Sequence, residues 1–212
     1  MNIHLISITG KRPQNEDAHD IVANISGKNS SLAPINFYGV YDGHGGKFVS
    51  KFLKDNISKF FTKKNVVYPL KHKYITDVYQ YLDKMLKQKY YTKALHCGST
   101  CMIAIQFKKN EHDYITLLNS GDSRSVLCRG TTAIPLTNDH KPSWPEEKRR
   151  IEKLGGKIVS DGPDYRIKDL SVSRAFGDLD AAPYLVSTPD VFRYKIEKTD
   201  KFMIMACDGL WD

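Results

Sequence analysis

The segment Ala206-Cys-Asp-Gly-Leu-Trp-Asp212 sets two carboxylates, Asp208 and Asp212, around a glycine turn that follows an apolar run. Tyr41-Asp-Gly-His-Gly-Gly46 has the same form: a strand-like run, an aspartate, then a glycine turn. Glu16 and Asp122 also lie at loop boundaries beside candidate strands. The set Glu16, Asp42, Asp122, Asp208 and Asp212 offers only oxygen donors, which points to Mg²⁺ or Mn²⁺ rather than zinc. Two such ions about 4 Å apart can share a water, lower its pKa and clamp a phosphoryl oxygen. One Asp-Gly alone is ordinarily a turn. The signal is its recurrence next to apolar strands.

Other side chains suit the same chemistry. Arg12 carries a planar donor fork that matches a phosphate dianion. His44, two residues after Asp42, carries an imidazole, a group whose free pKa is near neutrality, and can protonate a leaving oxygen. Gly121-Asp-Ser-Arg124 can bring Asp122 to a metal, with Arg124 in a supporting ion pair. His140 in Asp139-His-Lys-Pro142 reads as structural. Gly43–Gly46 is not a P-loop, since no Gly-Lys-Ser/Thr follows. Cys97-Gly-Ser-Thr100 lacks the Cys-x5-Arg arrangement of a cysteine-based phosphatase.

The elements that must hold these groups follow from periodicity. Residues 3–8 alternate loosely and predict a strand, with a polar loop over 11–17. A turn over 29–34 precedes a strand over 35–41, which delivers Asp42. After Gly45-Gly46 the period changes: Phe48, Val49, Phe52, Leu53, Ile57, Phe60 and Phe61 line one helical face. Residues 64–73 read as a connection. Ile75, Val78, Tyr79, Leu82, Met85 and Leu86 mark a second helix, and the pair predicts a hairpin covering one sheet face. Strands return at 100–107, 114–118 and 124–128, with a turn over Lys108–Asp113. Ser143 reads as the cap of a further helix, with Pro145 near N1 and Glu146 at capping-box spacing, ending at Leu154-Gly-Gly156. Residues 157–200 are loop-rich, and Phe202–Ala206 predicts a final buried strand. Strands clustered without regular alternation with helices disfavour a Rossmann fold and favour a two-sheet core with helices outside.

The chain has 212 residues, enough for one domain with a sizeable core. Its four cysteines form no close Cys-x-x-Cys pair and read as reduced, mostly buried thiols. The first residues are not a secretory signal, and no apolar stretch is long enough to span a membrane. A formal net charge of +8 suits acidic or phosphorylated partners. Lys47, Lys51, Lys54 and Lys59 read as a solvated helical face. No zinc finger, helix-turn-helix or stacking pattern speaks for nucleic acid.

In chain order, Arg12-Pro-Gln-Asn-Glu-Asp-Ala18, Tyr41–Gly46, Cys97–Thr100, Asn119-Ser-Gly-Asp-Ser-Arg124, Leu136-Thr-Asn-Asp-His-Lys-Pro142, Leu170-Ser-Val-Ser-Arg-Ala-Phe-Gly-Asp178 and Ala206–Asp212 resemble the metal-dependent Ser/Thr protein phosphatases of the PP2C (PPM) family. The resemblance covers nearly the whole chain. It implies an α+β fold, a four-layer α-β-β-α sandwich, over a single domain at 1–212, with a substrate-selecting flap within about 145–177. It implies two Mg²⁺ or Mn²⁺ ions and a third, weaker one. Asp42 would bridge two ions, the Gly43 carbonyl would bind one, and Glu16 and Asp208 the other, with Asp17 in support. Asp122, Asp208 and Asp212 would serve the third. Arg12 would grip the phosphate and His44 would be the general acid; Asp178 is assigned a structural role.

The activity implied is hydrolysis of phosphoserine and phosphothreonine in proteins by a metal-bridged hydroxide, in the cytoplasm or nucleus. The family continues beyond the Asp208–Asp212 block with helices, strands and a last Asp ligand. The sandwich is therefore expected to be incomplete at its C-terminus, as a fragment, a split assembly able to associate through the open sheet, or a degenerate product. Two rival readings are a non-catalytic PP2C-like regulatory or binding protein and another two-metal hydrolase such as a nuclease.

Overall fold

The computed structural model describes residues 2–23, 34–61 and 66–212. Its elements run β1 (Ala18–Val22), β2 (Asn36–Tyr41), β3 (Gly43–His44), α1 (Phe48–Phe61), α2 (His72–Lys89), α3 (Tyr91–Ala94), β4 (Gly98–Ser99), β5 (Cys101–Lys109), β6 (His112–Ser120), β7 (Arg124–Arg129) and β8 (Thr132–Pro135). There follow α4 (Pro145–Lys153), β9 (Ile158–Asp161), β10 (Asp164–Ile167), β11 (Phe176–Gly177), a 3-10 turn at Leu179–Ala181, β12 (Asp190–Lys195), β13 (Asp200–Ala206) and α5 (Asp208–Trp211).

The alternation of β5 explains the layering. Its odd residues Cys101, Ile103, Ile105 and Phe107 join a core with the apolar faces of α1 and α2. Its even residues Met102 and Ala104 join a second core with Leu127 of β7 and Met203 and Met205 of β13. Both faces of the strand are thus dry, as its continuous apolar run requires. The five-stranded antiparallel sheet β1-β2-β5-β6-β12 lies between the helices and the three-stranded sheet β13-β7-β8. This is the expected α+β sandwich, and the described residues supply three of its four layers.

The helical periodicities hold. Val49, Phe52, Leu53, Ile57 and Phe61 are buried on α1, and Ile75, Val78, Tyr79, Leu82 and Leu86 on α2. Each contributes about 2 kcal/mol relative to an exposed side chain. Phe37 of β2 stacks on Phe61 at 6.0 Å, tying helix to sheet.

Several local expectations are corrected. Residues 3–8 pair with no strand among the described residues; Ile6 and Ile8 stand 81% and 72% exposed, and the first strand is Ala18–Val22. Alternation alone cannot make a strand without a partner. Ser143 is not the cap of α4: Trp144 is the last extended residue, because Pro145 takes N1, and no side chain caps the helix. The strand expected at Phe202–Ala206 is not buried. It lies at a sheet edge, with Met203 and Met205 inward and Phe202 and Ile204 outward, 57% and 41% exposed. Of the 29–34 turn and the 64–73 connection, residues 29–33, 64 and 65 lie outside the described residues.

The β5–β6 turn is shorter than the expected Lys108–Asp113 span. Only Asn110 and Glu111 separate the strands, both with positive φ, 48° and 62°. Two successive left-handed residues match the right-handed twist of a hairpin. Glu111 has no local preference for that conformation. Glu111→Gly is expected to stabilise the fold by about 1 kcal/mol, read as a higher urea midpoint. The exposed Lys108–Glu111 pair at 3.2 Å, which the change removes, is worth less than that. A lowered midpoint would show that the ion pair outweighs the backbone strain.

Candidate metal centre

Three strand ends and one helix start converge at one end of the sandwich. Asp42 follows β2, and Thr100 fixes its backbone from both sides. The Thr100 N–H donates to the Asp42 carbonyl at 2.9 Å, and the Asp42 N–H donates to Thr100 Oγ1 at 3.2 Å. Thr100 Oγ1 also lies 2.8 Å from Ser123 Oγ, which ties it to the Asp122 turn between β6 and β7. Asp208 opens α5 where β13 ends. The nearest carboxylate oxygens of Asp42, Asp122 and Asp208 lie within 4.8 Å of one another. A second group, Asp17, Asp42 and Cys207 Sγ, meets the same limit, and the Cys207 thiol donates to Asp17 Oδ2 at 3.6 Å. Asp42 alone belongs to both.

The electrostatics show what this packing costs. Burial, then Asp208, Asp17 and Asp122, push the Asp42 carboxyl up to about 8. Burial raises Asp122 as well, although the Lys141 ammonium at 2.5 Å opposes it. Carboxylates gathered this closely, with Lys141 the one cation paired to them by a salt bridge among the described residues, fit a divalent cation. Burial and the neighbouring aspartates push the Cys207 thiol up to about 12, so the oxygens are the better donors.

The structure does not gather every residue of the sequence-derived set. Glu16 directs Oε1 at Gln14 Nε2, 3.1 Å away, and its carboxylate stands outside both groups; its carbonyl accepts from Ser50 Oγ. Asp212 also lies outside them, at the end of α5, where its charge acts on Arg124 and Lys141. Gly43 pairs with Ser99 in the small sheet β11-β4-β3, against the Glu16 carbonyl. Arg12 is exposed, and its one hydrogen bond among the described residues is from its backbone N–H to the Thr9 carbonyl at 3.4 Å. Arg124 forms the supporting ion pair expected of it, with both Asp139 oxygens at 3.1 and 2.6 Å. It also stands 5.7 Å over the Trp211 ring, which anchors α5 beside the Asp122 turn.

His44 has a partner that the sequence reading assigned only a structural role. Its Nε2 lies 2.6 Å from Oδ2 of Asp178, which is buried. The contact exists because β3, β4 and β11 pair side by side, and because residue 98 is glycine. A Cβ there would collide with both the Asp178 carboxylate and His44 Nε2. Burial lowers the His44 pKa, but the Asp178 hydrogen bond and charge, with Asp42 and Asp122, outweigh it and leave His44 raised. The Phe176-Gly-Asp178 sequence repeats the strand–glycine–aspartate form of Ser120-Gly-Asp122, so the signal was present. Lys141 and Thr100 lie inside blocks that carried the family resemblance, but the sequence reading gave neither a role at the site. His140 is structural, as expected: the Gly121 N–H donates to its Nδ1 at 3.1 Å.

With this geometry established, comparison with known proteins gives a consistent answer. The protein phosphatase 2C family profile matches residues 1–212. The chain is 36% identical over 208 residues to probable protein phosphatase 2C 69 of Arabidopsis thaliana, covering 97% of this chain and 56% of that protein. It is 51% identical over 110 residues to a PP2C-like domain-containing protein of Acanthamoeba polyphaga mimivirus, 49% of this chain and 62% of that one. Among solved structures, a phosphatase from a pathogenic strain of Toxoplasma gondii superposes with a TM-score of 0.76 at 25% identity, covering 95% of this chain and 74% of the other. The chain therefore spans 56% and 62% of the length of these two curated relatives.

Proposed function

The chain belongs to the protein phosphatase 2C family, and from that premise we propose that it hydrolyses phosphoserine and phosphothreonine in proteins with two divalent ions, Mg²⁺ or Mn²⁺. The observation that carries this reading is the convergence of the Asp42, Asp122 and Asp208 oxygens beside the His44–Asp178 pair. Asp42, Asp208, Glu16 and the Gly43 carbonyl would hold the two ions, with Asp17 in support; Asp122 and Asp212, with Asp208, would hold a weaker third. When bound, such ions acidify a water and offset charge on the phosphoryl oxygens.

The chain's own groups supply the rest. Arg12, exposed and without a carboxylate partner among the described residues, offers its fork to the phosphate. The Nε2 proton of His44 is committed to Asp178, so the proton given to the leaving oxygen is the one on Nδ1. Asp178 keeps the ring charged and oriented until that transfer. The segment of about 145–177, with α4 and the β9–β10 hairpin, would include the flap beside the site.

The test is hydrolysis of a phosphothreonine peptide in Mn²⁺, in Mg²⁺ and with chelator. Turnover that disappears with chelator is the expected result, and its absence from folded chain would overturn the reading. The Glu16 carboxylate, turned toward Gln14, favours one second reading: a non-catalytic binding protein that keeps the fold.

A leaving-group comparison isolates the acid. His44→Ala is expected to slow phosphothreonine hydrolysis by about 10²-fold or more. It should slow p-nitrophenyl phosphate far less, because nitrophenolate leaves without a proton. Asp178→Asn should show the same asymmetry to a smaller degree. Equal losses on both substrates would remove His44 from the acid role.

A further inference from the structure

We propose that the open groove between the start of α1 and the α2–α3 corner binds an acidic stretch of the phosphoprotein next to its phosphorylated residue. This rests on the hydrolase reading and adds a substrate class to it.

The groove has a volume of about 760 Å³. Its apolar wall is a cluster of rings: Phe48 and Phe52 pack on Tyr90 at 5.4 and 5.7 Å between centroids. Around it stand Lys47, Lys51 and Lys93, all exposed. Lys93 Nζ sits 5.2 Å over the Phe48 ring. None of the three ammonium groups forms a salt bridge among the described residues. Some helical lysines elsewhere do pair: Lys73 with Asp77, Lys87 with Asp83 and Lys148 with Glu152. On α1, Asp55 follows Lys51 at the spacing that pairs Lys73 with Asp77, yet the two do not pair. Asp55 is the one carboxylate lining the groove among the described residues. Three cations against one anion leave a net positive wall that complements acidic side chains.

Position supports the same occupant. Gly45 and Gly46 line the groove and directly follow His44, while Gln14 lines it and holds Glu16. A chain whose phosphate lies at Arg12 and His44 would enter this groove with its neighbouring residues. Aromatic rings beside lysines can also receive single-stranded nucleic acid, but continuity with the His44 loop favours the substrate chain itself. Lys54 is on the same helix and faces elsewhere, its charge acting on Asp20. The lysine face of α1 is thus two surfaces.

The experiment uses fluorescein-labelled phosphothreonine peptides with three glutamates before the phosphoresidue, three after it, or three alanines in their place. A labelled oligothymidylate is the fourth probe. Anisotropy is measured with chelator present, so binding does not depend on turnover. One acidic peptide is expected to bind about tenfold tighter than the alanine peptide, with the advantage lost in high salt. Lys51→Glu/Lys93→Glu should abolish the advantage, whereas Lys54→Glu should retain it. In Mn²⁺ the double variant should lose the same preference in kcat/KM while hydrolysing p-nitrophenyl phosphate at an unchanged rate. Equal binding of all three peptides would overturn the proposal, as would an unaffected double variant or oligothymidylate binding without acidic-peptide binding. Absent turnover with charge-dependent binding intact would count against the hydrolase reading and leave the groove standing.

Discussion

Asp42→Asn is expected to lower metal-dependent phosphothreonine hydrolysis by about 10³-fold or more, with folding intact. The expectation rests on position. Asp42 is the one residue shared by the Asp122–Asp208 group and the Asp17–Cys207 group, so losing its charge impairs both at once. The same substitution separates site damage from misfolding. A carboxyl raised to about 8 works against the fold wherever it is ionised in the unfolded chain, that is, above its ordinary value. Asparagine removes that repulsion, so without metal the variant should melt no lower than the unsubstituted chain at neutral pH. Mn²⁺ at about a hundred times its dissociation constant should stabilise the unsubstituted chain by about 2.7 kcal/mol and the variant hardly at all. Calorimetry with and without Mn²⁺ reads this directly. A variant that keeps its metal-induced stabilisation would show that Asp42 is not the shared ligand.

Glu147→Gln is expected to destabilise the fold by about 3–5 kcal/mol without touching the metal centre. Glu147 is 3% exposed, and its two oxygens take Arg174 Nε and Nη2 at 3.0 and 2.7 Å and Arg150 Nη2 at 2.8 Å. Arg174 continues to Asp190 at 2.9 Å, and Asp190 Oδ2 lies 3.2 Å from His140 Nε2. The network pins α4 to β12 and to the segment before β11. Removing its central charge leaves two guanidinium groups short of their anion. A loss of that size should lower the melting temperature by roughly 10 °C in a domain of this length.

The pH dependence follows from the same contacts. Burial alone would raise Glu147, but the Arg174 and Arg150 hydrogen bonds and charges outweigh it and hold the carboxyl at about 2. A carboxyl depressed in the folded state stabilises above its unfolded value and loses that contribution as pH falls toward its folded value. The unsubstituted chain should therefore weaken from about pH 4.5 down to 2, and Glu147→Gln should flatten that slope. A pH-independent difference between the two proteins would remove Glu147 from acid unfolding.

The helices show how much of the fold was legible. The faces read at 3.6-residue spacing on α1 and α2 are the buried faces, because a helix dictates its own periodicity from neighbouring residues. The strands were legible in place but not in burial. Phe202 and Ile204 are as apolar as Met203 and Met205, and their exposure depends on what lies across the sheet. Residues 3–8 alternate as a strand should, yet strand structure needs a partner supplied from elsewhere.

By itself the sequence determined the donor types, the glycine turns that carry them and the family to which their order belongs. Local steric preference and side-chain chemistry are properties of short segments. Only the tertiary structure decided which groups meet. His44 and Asp178 are 134 residues apart and touch because three two-residue strands align. Tertiary packing places Lys141 on Asp122 and leaves the Glu16 and Asp212 carboxylates outside the cluster. It also sets Lys47 and Lys51 around a groove rather than on an undifferentiated face. Electrostatic energy depends on distance through space, and distance along the chain does not encode it.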